Sequence, residues 1–490
     1  MILALDQGTT GTTAIVFDGE GRPGGRGYSE FRQHFPRPGW VEHDAEEIWE
    51  VTRRVGREAL DAAGIDGRRL TGIGITNQRE TVVAWDRDSG EPLHRALVWQ
   101  DRRTAGRCDE LREAGHEPLF RERTGLVLDP YFSGTKIEWL IRHGDVDPAR
   151  AAFGTIDAWL VAKLTGRHAT DYSNASRTLL FHTGDLSWDA DLCDLLGVPP
   201  ESLPEPCPSA HVYGKTSEFG GEVPVAGIAG DQQAALYGQA CHEPGLGKNT
   251  YGTGSFVLEN AGPNRPPPAE GLLTTVAWGV DGRVDYALEA AIFVTGAAVQ
   301  WLRDGLGIIA TADETEGLAR SLESNDGVYF VPALTGLGSP HWDPYARGTI
   351  VGLTRGSGRA HLARAALESI AYQTGDAVRA MEEVSGVALP ELKADGGAVH
   401  NSWLMRFQAD VLGVPVVVPE ISETTALGAA YLAGVAVGLW TEEDTRRMWR
   451  EAARYEPSMR AGRREELLAG WRRALERSGG WARNETAADG

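Results

Sequence analysis

The sequence predicts an α/β protein built from two domains. The chain has 490 residues, more than a single hydrophobic core usually spans. Apolar runs typical of strands alternate with helix-like patterns along the chain, which is the arrangement of α/β proteins. Two strand–turn–strand units with Gly- and Thr-rich tips occur about half a chain apart. This repeat indicates two domains of similar construction.

The first unit lies at the N-terminus. Residues 2–5 and 13–17 predict two strands, and the second ends at the turn signal Asp18-Gly19. The tip between them, residues 6–12, is Asp-Gln-Gly-Thr-Thr-Gly-Thr. It is either an ordinary tight turn or a loop whose N–H groups and Thr hydroxyls bind phosphate. In the second case Asp6 would hold Mg²⁺ directly or through water.

The segment that follows combines a helix start with a buried strand. Asp44 with Glu47 three residues later predicts a capping box that opens a helix, although the surrounding acidic residues also resemble a metal site. Residues 70–75 predict a buried strand, and the polar run 77–80 follows it directly. Within that run, Arg79 supplies forked donors and Glu80 supplies acceptors. Such a pair suits a small neutral polyol, whose hydroxyls both donate and accept, although a solvated loop is the alternative.

The second unit and its surroundings lie in the C-terminal half. Residues 248–251 and 256–258 predict the two strands of the repeat. The apolar spacing from Leu362 to Ile370 predicts a helix face, and residues 392–395 predict a short strand that meets Gly396-Gly397 before a helix from about Asn401. Residues 263–268 predict a Pro-rich surface loop, and the chain is expected to fray from Ser478.

Composition excludes several classes of function. Acidic residues outnumber basic ones, 69 to 48, which gives a net charge of −21. Such a surface repels nucleic acids and anionic membranes. Four scattered cysteines without zinc spacing predict a reduced, cytoplasmic protein. The early charge at Asp6 argues against a signal peptide, and no apolar run approaches the roughly 20 residues of a membrane span.

Two short motifs bear on catalysis and nucleotide binding. Gly230-Asp231 follows the apolar run 223–229, and a carboxylate at a strand end is a position for a general base, although a plain Gly-Asp turn is the alternative. Gly214-Lys215-Thr216 matches the end of a P-loop, but Ser209 stands where that motif needs glycine. The sequence therefore predicts a surface turn there and no P-loop.

Several longer motifs carry a resemblance to a known family. Residues 131–139 and 348–368 are similar to the two signatures of the FGGY carbohydrate kinases. Residues 38–44, 76–80, 230–236 and 249–256 resemble the members of that family that phosphorylate glycerol. The matches follow the family's order and run from Leu3 to about Trp440.

The resemblance implies an α/β fold of two actin-like, ribonuclease-H-like domains, residues 1–245 and 246–490, with the active site in the cleft between them. It implies transfer of the γ-phosphoryl group of MgATP to glycerol, giving glycerol 3-phosphate and ADP, with ATP and Mg²⁺ as cofactors, in a cytoplasmic homo-oligomer, either a dimer or a tetramer. It assigns the catalytic base to Asp231. It assigns substrate binding to Arg79, Glu80, Trp99, Tyr131, Asp231, Gln232 and Phe256. It assigns nucleotide binding to Thr9, Thr10, Gly11, Thr253, Gly296, Gln300, Gly397 and Asn401.

One position departs from the family, and several rival functions stand beside the expected one. The family members that phosphorylate glycerol commonly have an arginine where this chain has Thr13, so weaker ATP binding is expected. Another kinase of the family, acting on erythritol, xylulose or gluconate, is the nearest rival. An actin-like or chaperone-like ATPase and an NAD-dependent oxidoreductase are more distant rivals. The oxidoreductase would need a GxGxxG helix start, which the sequence lacks.

Overall fold

The computed structural model describes residues 1–483 and has the predicted α/β architecture in two domains. The strands of the N-terminal half are β1 (Ile2–Gln7), β2 (Gly11–Phe17), β3 (Pro23–Glu30), β4 (Gln33–His34), β5 (Glu42–His43), β6 (Gly72–Asn77), β7 (Val82–Asp86), β8 (Ala96–Leu97), β9 (Ala151–Thr155), β10 (Ala169–Asp171), β11 (Phe181–His182), β12 (Ser187–Trp188), β13 (Glu205–Cys207), β14 (Ala210–Thr216) and β15 (Val223–Gly230). Its helices are α1 (Ala45–Ala63), α2 (Ala105–Glu113), α3 (Glu117–Thr124), α4 (Gly134–His143), α5 (Ile156–Thr165), α6 (Tyr172–Ala175), α7 (Ala190–Leu196) and α8 (Asp231–Gly238).

The C-terminal half continues the same alternation. Its strands are β16 (Gly247–Tyr251), β17 (Ser255–Gly262), β18 (Leu273–Val280), β19 (Arg283–Ile292), β20 (Tyr329–Val331), β21 (Thr349–Val351), β22 (Leu392–Gly396), β23 (Val416–Pro419) and β24 (Glu451–Tyr455). Its helices are α9 (Gly296–Asp304), α10 (Glu314–Arg320), α11 (Arg359–Ser385), α12 (Ser402–Leu412), α13 (Thr424–Ala436), α14 (Glu442–Met448) and α15 (Ala461–Ser478).

Each half is organised around one mixed sheet, and the two sheets share a plan. In the first, β3, β2 and β1 are antiparallel neighbours, β6 and β15 continue parallel to β1, and β14 closes the edge antiparallel. In the second, β19, β17 and β16 take the antiparallel places, β22 and β23 continue parallel to β16, and β24 closes that edge, while β18 adds a strand beside β19. The two domains of similar construction predicted from the repeated tips are therefore confirmed.

A smaller sheet and a crossing helix complete the core. Strands β4, β5, β8, β7 and β9 form a second sheet in the N-terminal half. Helix α13 belongs to the C-terminal half by sequence, yet it packs on α8 and on β15, β6 and β1 of the first sheet. Glycines make this close approach possible, because a Cβ on Gly428 would lie 1.8 Å from the carbonyl oxygen of Ala234. A Cβ on Gly74 of β6 would lie 2.2 Å from the carbonyl oxygen of Ala429.

Most of the predicted elements are present, with shifts at their ends. Both hairpins, the helix face from Leu362 to Ile370 within α11 and the strand before Gly396-Gly397 are confirmed. The predicted strand 70–75 begins at Gly72 and ends at Asn77. Residues 263–268 lie outside helices and strands and are mostly exposed.

Three local expectations need correction or comment. Gly214-Lys215-Thr216 is not a turn: it ends β14, where Lys215 and Thr216 pair with β15, and the turn comes at residues 217–222. Asp44 does cap α1, accepting from the backbone N–H groups of Glu46 and Glu47 at 2.9 and 3.1 Å. The Glu47 carboxylate accepts from Arg32 N, so the second half of a capping box is not formed. Of the tail expected to fray from Ser478, residues 484–490 lie outside the described residues.

Two further sequence expectations can be set beside the structure. All four cysteines are free and buried. Among residues 1–483, no helix has the length and apolar character needed to cross a membrane.

The contact between α13 and α8 yields a stability prediction. Gly428→Ala should destabilise the protein by about 2–3 kcal/mol, because the new Cβ meets backbone atoms of Ala234 that cannot move aside. Gly317→Ala is the matched control, since Gly317 lies exposed in α10 with no atom within 4 Å of the added Cβ. Urea unfolding of both variants measures the difference.

In the control Gly317→Ala, the free energy of unfolding should rise by about 0.5–1 kcal/mol, because alanine loses less backbone entropy than glycine when a helix forms. Equal unfolding midpoints for the two variants would show that the helices separate easily, which contradicts the tight packing.

Candidate active site

The register of three parallel strands brings the polar segments of the sequence together. Gln7 of β1 lies beside Asn77 of β6, and Asn77 lies beside Gly230 of β15. Each of these residues ends its strand, so the chain segments that follow emerge at one edge of the sheet. The first hairpin tip, residues 77–80 and the start of α8 are therefore neighbours, as a site at the carboxyl ends of parallel strands requires.

The hairpin tip forms a tight loop held by its own backbone. The N–H of Gly8 donates to the carbonyl oxygen of Gly11 at 2.9 Å. Gly11 has no space for a side chain, because a Cβ would lie 2.8 Å from the carbonyl oxygen of Ser29. Thr9 accepts a hydrogen bond from the Trp99 indole Nε1 at 2.9 Å, while Thr10 is exposed. The tip thus presents backbone and hydroxyl groups beside an aromatic ring.

Asp6 lies just before this tip and carries an unusual carboxyl group. Among the described residues no hydrogen-bond donor reaches its side chain. Burial, with a further contribution from the nearby charge of Asp231, raises the pKa of Asp6 to about 7. Thr13 faces Asp6 across the hairpin as its Cα partner. A divalent cation would satisfy this bare carboxylate, and Mg²⁺ is usually held by one or two carboxylates together with phosphate oxygens.

Arg79 is the hub of the buried part of the site. Its Nη atoms donate to both oxygens of Glu289, at 2.5 and 3.2 Å, and Nη1 also donates to Gln233 Oε1 at 3.2 Å. Its Nε lies 3.2 Å from Asp231 Oδ1 and 3.8 Å from Glu80 Oε1. Arg79 is 2% exposed, so these partners fix the direction of its guanidinium group.

Glu80 and Arg177 extend the cluster around Arg79. Arg177 is fully buried, and it donates from Nε to Glu80 Oε1 at 2.6 Å and from Nη2 to Glu289 Oε1 at 3.0 Å. Glu80 has φ of 62°, a left-handed conformation that costs energy in a residue other than glycine. Although burial raises it, the pKa of Glu289 is held to about 2 by Arg177 and Arg79. The cluster stays charged inside the protein because its charges are paired.

Asp231 and Gln232 begin α8 at the border of the cluster. The Asp231 side chain is 33% exposed, and its Oδ1 accepts from the Gln232 backbone N–H at 2.7 Å. Burial raises the pKa of Asp231, while Arg79 and this N–H group oppose the rise. The Gln232 side chain accepts a hydrogen bond from the ammonium group of Lys248. Asp231 is therefore a partly exposed carboxylate that binds a proton more readily than an aspartate in water does.

Aromatic rings stand beside these polar groups. Trp99 and Tyr131 meet edge to face with ring centroids 5.5 Å apart. The Arg79 guanidinium carbon lies 5.8 Å from the centre of the Phe256 ring. Lys136 is buried and donates to the Tyr131 carbonyl oxygen at 3.0 Å, which fixes the loop that carries this ring. The structure thus brings together all seven residues predicted to bind the substrate.

The residues predicted to bind the nucleotide in the C-terminal half form two groups. The Thr253 carbonyl oxygen accepts from the N–H of Ala297 at 3.0 Å, which places Thr253 beside Gly296 at the start of α9. Gln300 lies one turn further along α9 and is exposed. Gly397 is exposed after β22, and Asn401 caps α12 by accepting from the N–H of Leu404 at 3.0 Å. Thr253 follows β16 and Gly397 follows β22, and these two strands are parallel neighbours, whereas Gly296 and Gln300 belong to α9, which follows β19.

Sequence reasoning missed three members of the site, namely Arg177, Lys248 and Glu289. Glu289 has a visible signal, because it is the one acid within the apolar strand segment 286–292. Such a residue, buried on both faces of a sheet, needs a partner. Arg177 and Lys248 stand in mixed polar segments, where nothing marks them as buried.

Family models described as the FGGY family of carbohydrate kinases, N-terminal domain and C-terminal domain, match residues 1–238 and 247–437. Glycerol kinase 2 of Thermotoga maritima is 55% identical over 98% of this chain and 99% of its own, and a glycerol kinase of Trichlorobacter lovleyi is 57% identical over the same shares. The crystal structure of Plasmodium falciparum glycerol kinase with ADP has a TM-score of 0.93 at 34% identity, covering 97% of this chain and 98% of its own.

The charge cluster around Glu289 yields a second stability prediction. Glu289→Gln should destabilise the protein by about 3–5 kcal/mol, because it leaves Arg79 and Arg177 buried with too few negative partners. Glu443→Gln is the matched control: Glu443 is 55% exposed and pairs with Arg447 at 3.1 Å on the surface. Unfolding in urea should show a loss below about 1 kcal/mol for the control. A loss that small for Glu289→Gln would mean that the cluster is not essential to the fold.

Proposed function

This chain belongs to the FGGY family of carbohydrate kinases, and from that membership we propose that it is an ATP-dependent glycerol kinase. It transfers the γ-phosphoryl group of MgATP to glycerol, giving glycerol 3-phosphate and ADP. Glycerol as the substrate is supported by the 55–57% identity to glycerol kinases over nearly the full length. The structural observation that supports it best is the meeting of Arg79, Glu80, Asp231 and Gln232 beside aromatic rings.

We assign the two substrates to different domains. Residues 1–245 would contribute the glycerol site and the phosphate hairpin, and residues 246–490 would contribute the adenosine site. The two matched family models, which end at residue 238 and begin at residue 247, support this boundary. The contacts of Arg79 with Glu289 and of Gln232 with Lys248 cross it, so substrate groups are held from both sides.

The proposed glycerol site matches the chemistry of a small triol. Neighbouring hydroxyls both donate and accept, and the site offers guanidinium donors on Arg79 beside carboxylate acceptors on Glu80 and Asp231. Trp99 and Phe256 offer apolar faces to the carbon chain. A substrate that lacks a hydroxyl leaves one of these buried groups unpaired, which is why such a site discriminates strongly.

Asp231 is the proposed general base. As the glycerol oxygen bonds to phosphorus, its proton passes to the Asp231 carboxylate, while the γ-phosphoryl group leaves the β-phosphate oxygen of ATP. Because burial raises the pKa of Asp231, this carboxylate is a stronger base than one in water. Only the ionised form accepts a proton, so kcat/KM should fall as the pH drops through a value above the ordinary 3.8.

The proposed nucleotide site uses the hairpin tip and the two C-terminal groups. The amides and hydroxyls of Thr9, Thr10 and Gly11 would bind phosphate oxygens, as Gly-rich tips do. Thr253, Gly296, Gln300, Gly397 and Asn401 would contact the adenosine. Asp6 would hold Mg²⁺, and the bare carboxylate described above fits that role. Bound there, Mg²⁺ would neutralise phosphate charge.

We also propose that the enzyme works in the cytoplasm as a homo-oligomer, a dimer or a tetramer. The four free, buried cysteines favour a reducing compartment. The oligomeric state stays a prediction from the family, and sedimentation of the purified protein tests it.

Replacing the base tests the proposed activity. Asp231→Asn should lower kcat by about 10²- to 10⁴-fold, because the amide cannot accept the proton. KM for glycerol should change less, since asparagine keeps the size of the side chain and an oxygen toward Arg79. Coupled ADP detection with glycerol, erythritol, xylulose and gluconate provides the measurement and tests the rival substrates together.

Asp194→Asn is the matched control, because Asp194 is exposed on α7 and its variant should keep full activity. Retained activity in Asp231→Asn would refute the base, whereas ADP release that does not depend on glycerol would refute the substrate.

Thr13 provides a separate test of the phosphate hairpin. Thr13→Arg should lower the KM for ATP by a few-fold, since it adds a cation opposite Asp6, beside the proposed phosphates. Thr13→Met is the control, because it adds length without charge and should not lower that KM. Steady-state kinetics at saturating glycerol measure both variants. An unchanged or higher KM for ATP in Thr13→Arg would show that an arginine at this position does not contribute a contact to the phosphates.

A further inference from the structure

Lys248 is a buried cation next to the proposed glycerol site. It lies in β16 and is 0% exposed. Its ammonium group donates to Gln232 Oε1, to Thr250 Oγ1 at 2.9 Å and to the Phe256 carbonyl oxygen at 3.4 Å. Among residues 1–483, no carboxylate lies within ion-pair distance of it. Burying such a group costs free energy, and its three hydrogen bonds offset part of that cost.

The chemistry of the ammonium group fixes the orientation of the Gln232 amide. A side-chain amide has an oxygen and a nitrogen at nearly equivalent positions, and its partners decide which way it faces. Lys⁺ has three donors and no acceptor, so the amide atom that faces it must be the oxygen. The amide nitrogen Nε2 then points away from Lys248. Within the described chain Nε2 has no acceptor, so both of its hydrogens are available.

We propose that Lys248 is a positioning residue that holds Gln232 with its amide N–H groups toward the substrate, so that Gln232 recognises a hydroxyl oxygen as a donor. This inference rests on the proposed glycerol kinase activity. All three hydrogens of Lys248 are used on protein groups, which leaves none for a phosphate. Lys248 therefore acts through Gln232 and does not contact the substrate.

Two other buried lysines show what a purely structural contact looks like. Lys136 donates to the carbonyl oxygens of residues 130–132, and Lys393 donates to those of Gln239 and Ala240. The hydrogen bonds of both lysines go to backbone oxygens, whose orientation the fold already fixes, and Lys393 also lies over the ring of Trp449. Lys248 differs because one of its acceptors is a rotatable amide at the substrate site. Burial lowers the pKa of Lys248 to about 8, and the positive charge of Arg79 acts in the same direction, while the carboxylates of Asp395, Asp231 and Glu289 oppose the shift.

The role has a consequence for substrate choice. An oriented N–H donor contributes to binding only when the substrate places an oxygen against it. Glycerol does so, whereas propane-1,2-diol and propane-1,3-diol each lack one hydroxyl. Loss of Lys248 frees the amide to rotate, and the enzyme should then distinguish glycerol less well from the diol that lacks the contacted hydroxyl.

The test compares Lys248→Met with the unmodified enzyme on glycerol and both diols. The diols serve as substrates or, where turnover is slow, as competitive inhibitors. The variant should lose about ten- to a hundredfold in kcat/KM for glycerol, mostly through KM, with little change for one diol and in the KM for ATP. Gln232→Glu keeps an acceptor toward Lys248 but removes the donor toward the substrate. It should reduce the discrimination between glycerol and that diol by a similar factor. This result does not depend on whether Lys248→Met folds.

A double variant separates positioning from a structural role. Gln232→Ala combined with Lys248→Met should be no worse on glycerol than Gln232→Ala alone, within about twofold, because Lys248 acts through that side chain. Lys393→Met is the matched control, since it removes another buried lysine and should keep the ratio of glycerol to diol, even where the melting temperature falls.

Three results would overturn the inference. They are multiplicative losses in the double variant, an unchanged discrimination in both Lys248→Met and Gln232→Glu, and a loss confined to kcat or to the KM for ATP. Failure of the proposed function is distinct, because the unmodified enzyme would then release no ADP in response to glycerol.

Discussion

The buried carboxylate of Glu289, held between Arg79 and Arg177, is the interaction on which the site depends. Charges inside a protein are costly unless each has a partner. Here the partners come from different parts of the chain: Arg79 lies 210 residues before Glu289. The pairing therefore joins the second sheet to the first at the base of the proposed substrate site. It also leaves Arg79 Nε directed at Asp231, so a contact that joins the two domains also orients the side chains proposed to bind the substrate.

Strand register supplies the rest of the geometry. Gln7, Asn77 and Gly230 end neighbouring parallel strands, which is why a hairpin tip, a polar run and a helix start become one site. The second domain repeats the plan, with Tyr251 beside Gly396 at the matching edge. One simple arrangement, used twice, yields the edge proposed to bind phosphate in one domain and the edge proposed to bind adenosine in the other. The differences between the edges lie in the side chains.

Sequence reasoning recovered the strands, the tips and the polar side chains that follow strands, because these depend on local patterns. Arg79, Glu80 and Asp231 were found in this way. Glu289 was missed because a lone acid in an apolar strand indicates a partner without saying which one. Lys248 was missed because the acceptor that links it to the site, Gln232, is contributed by the other domain. The position of α13 could not be predicted from the sequence either. Residues 424–436 are buried on nearly every side, so their apolar pattern predicts a buried helix but does not indicate which sheet it covers.

The crossing of α13 bears on how the chain reaches its fold. During synthesis the strands β1, β6 and β15 leave the ribosome within the first half of the chain, but the helix that covers them ends at Ala436. From Gly230, where β15 ends, 206 further residues must be made before α13 is complete and can protect that apolar face. A nascent chain of this kind exposes hydrophobic surface while the second domain is being synthesised, which favours aggregation or chaperone binding. The two domains are separate in sequence but are not independent in folding, because the sheet of the first domain is covered only once α13 of the second domain has been made.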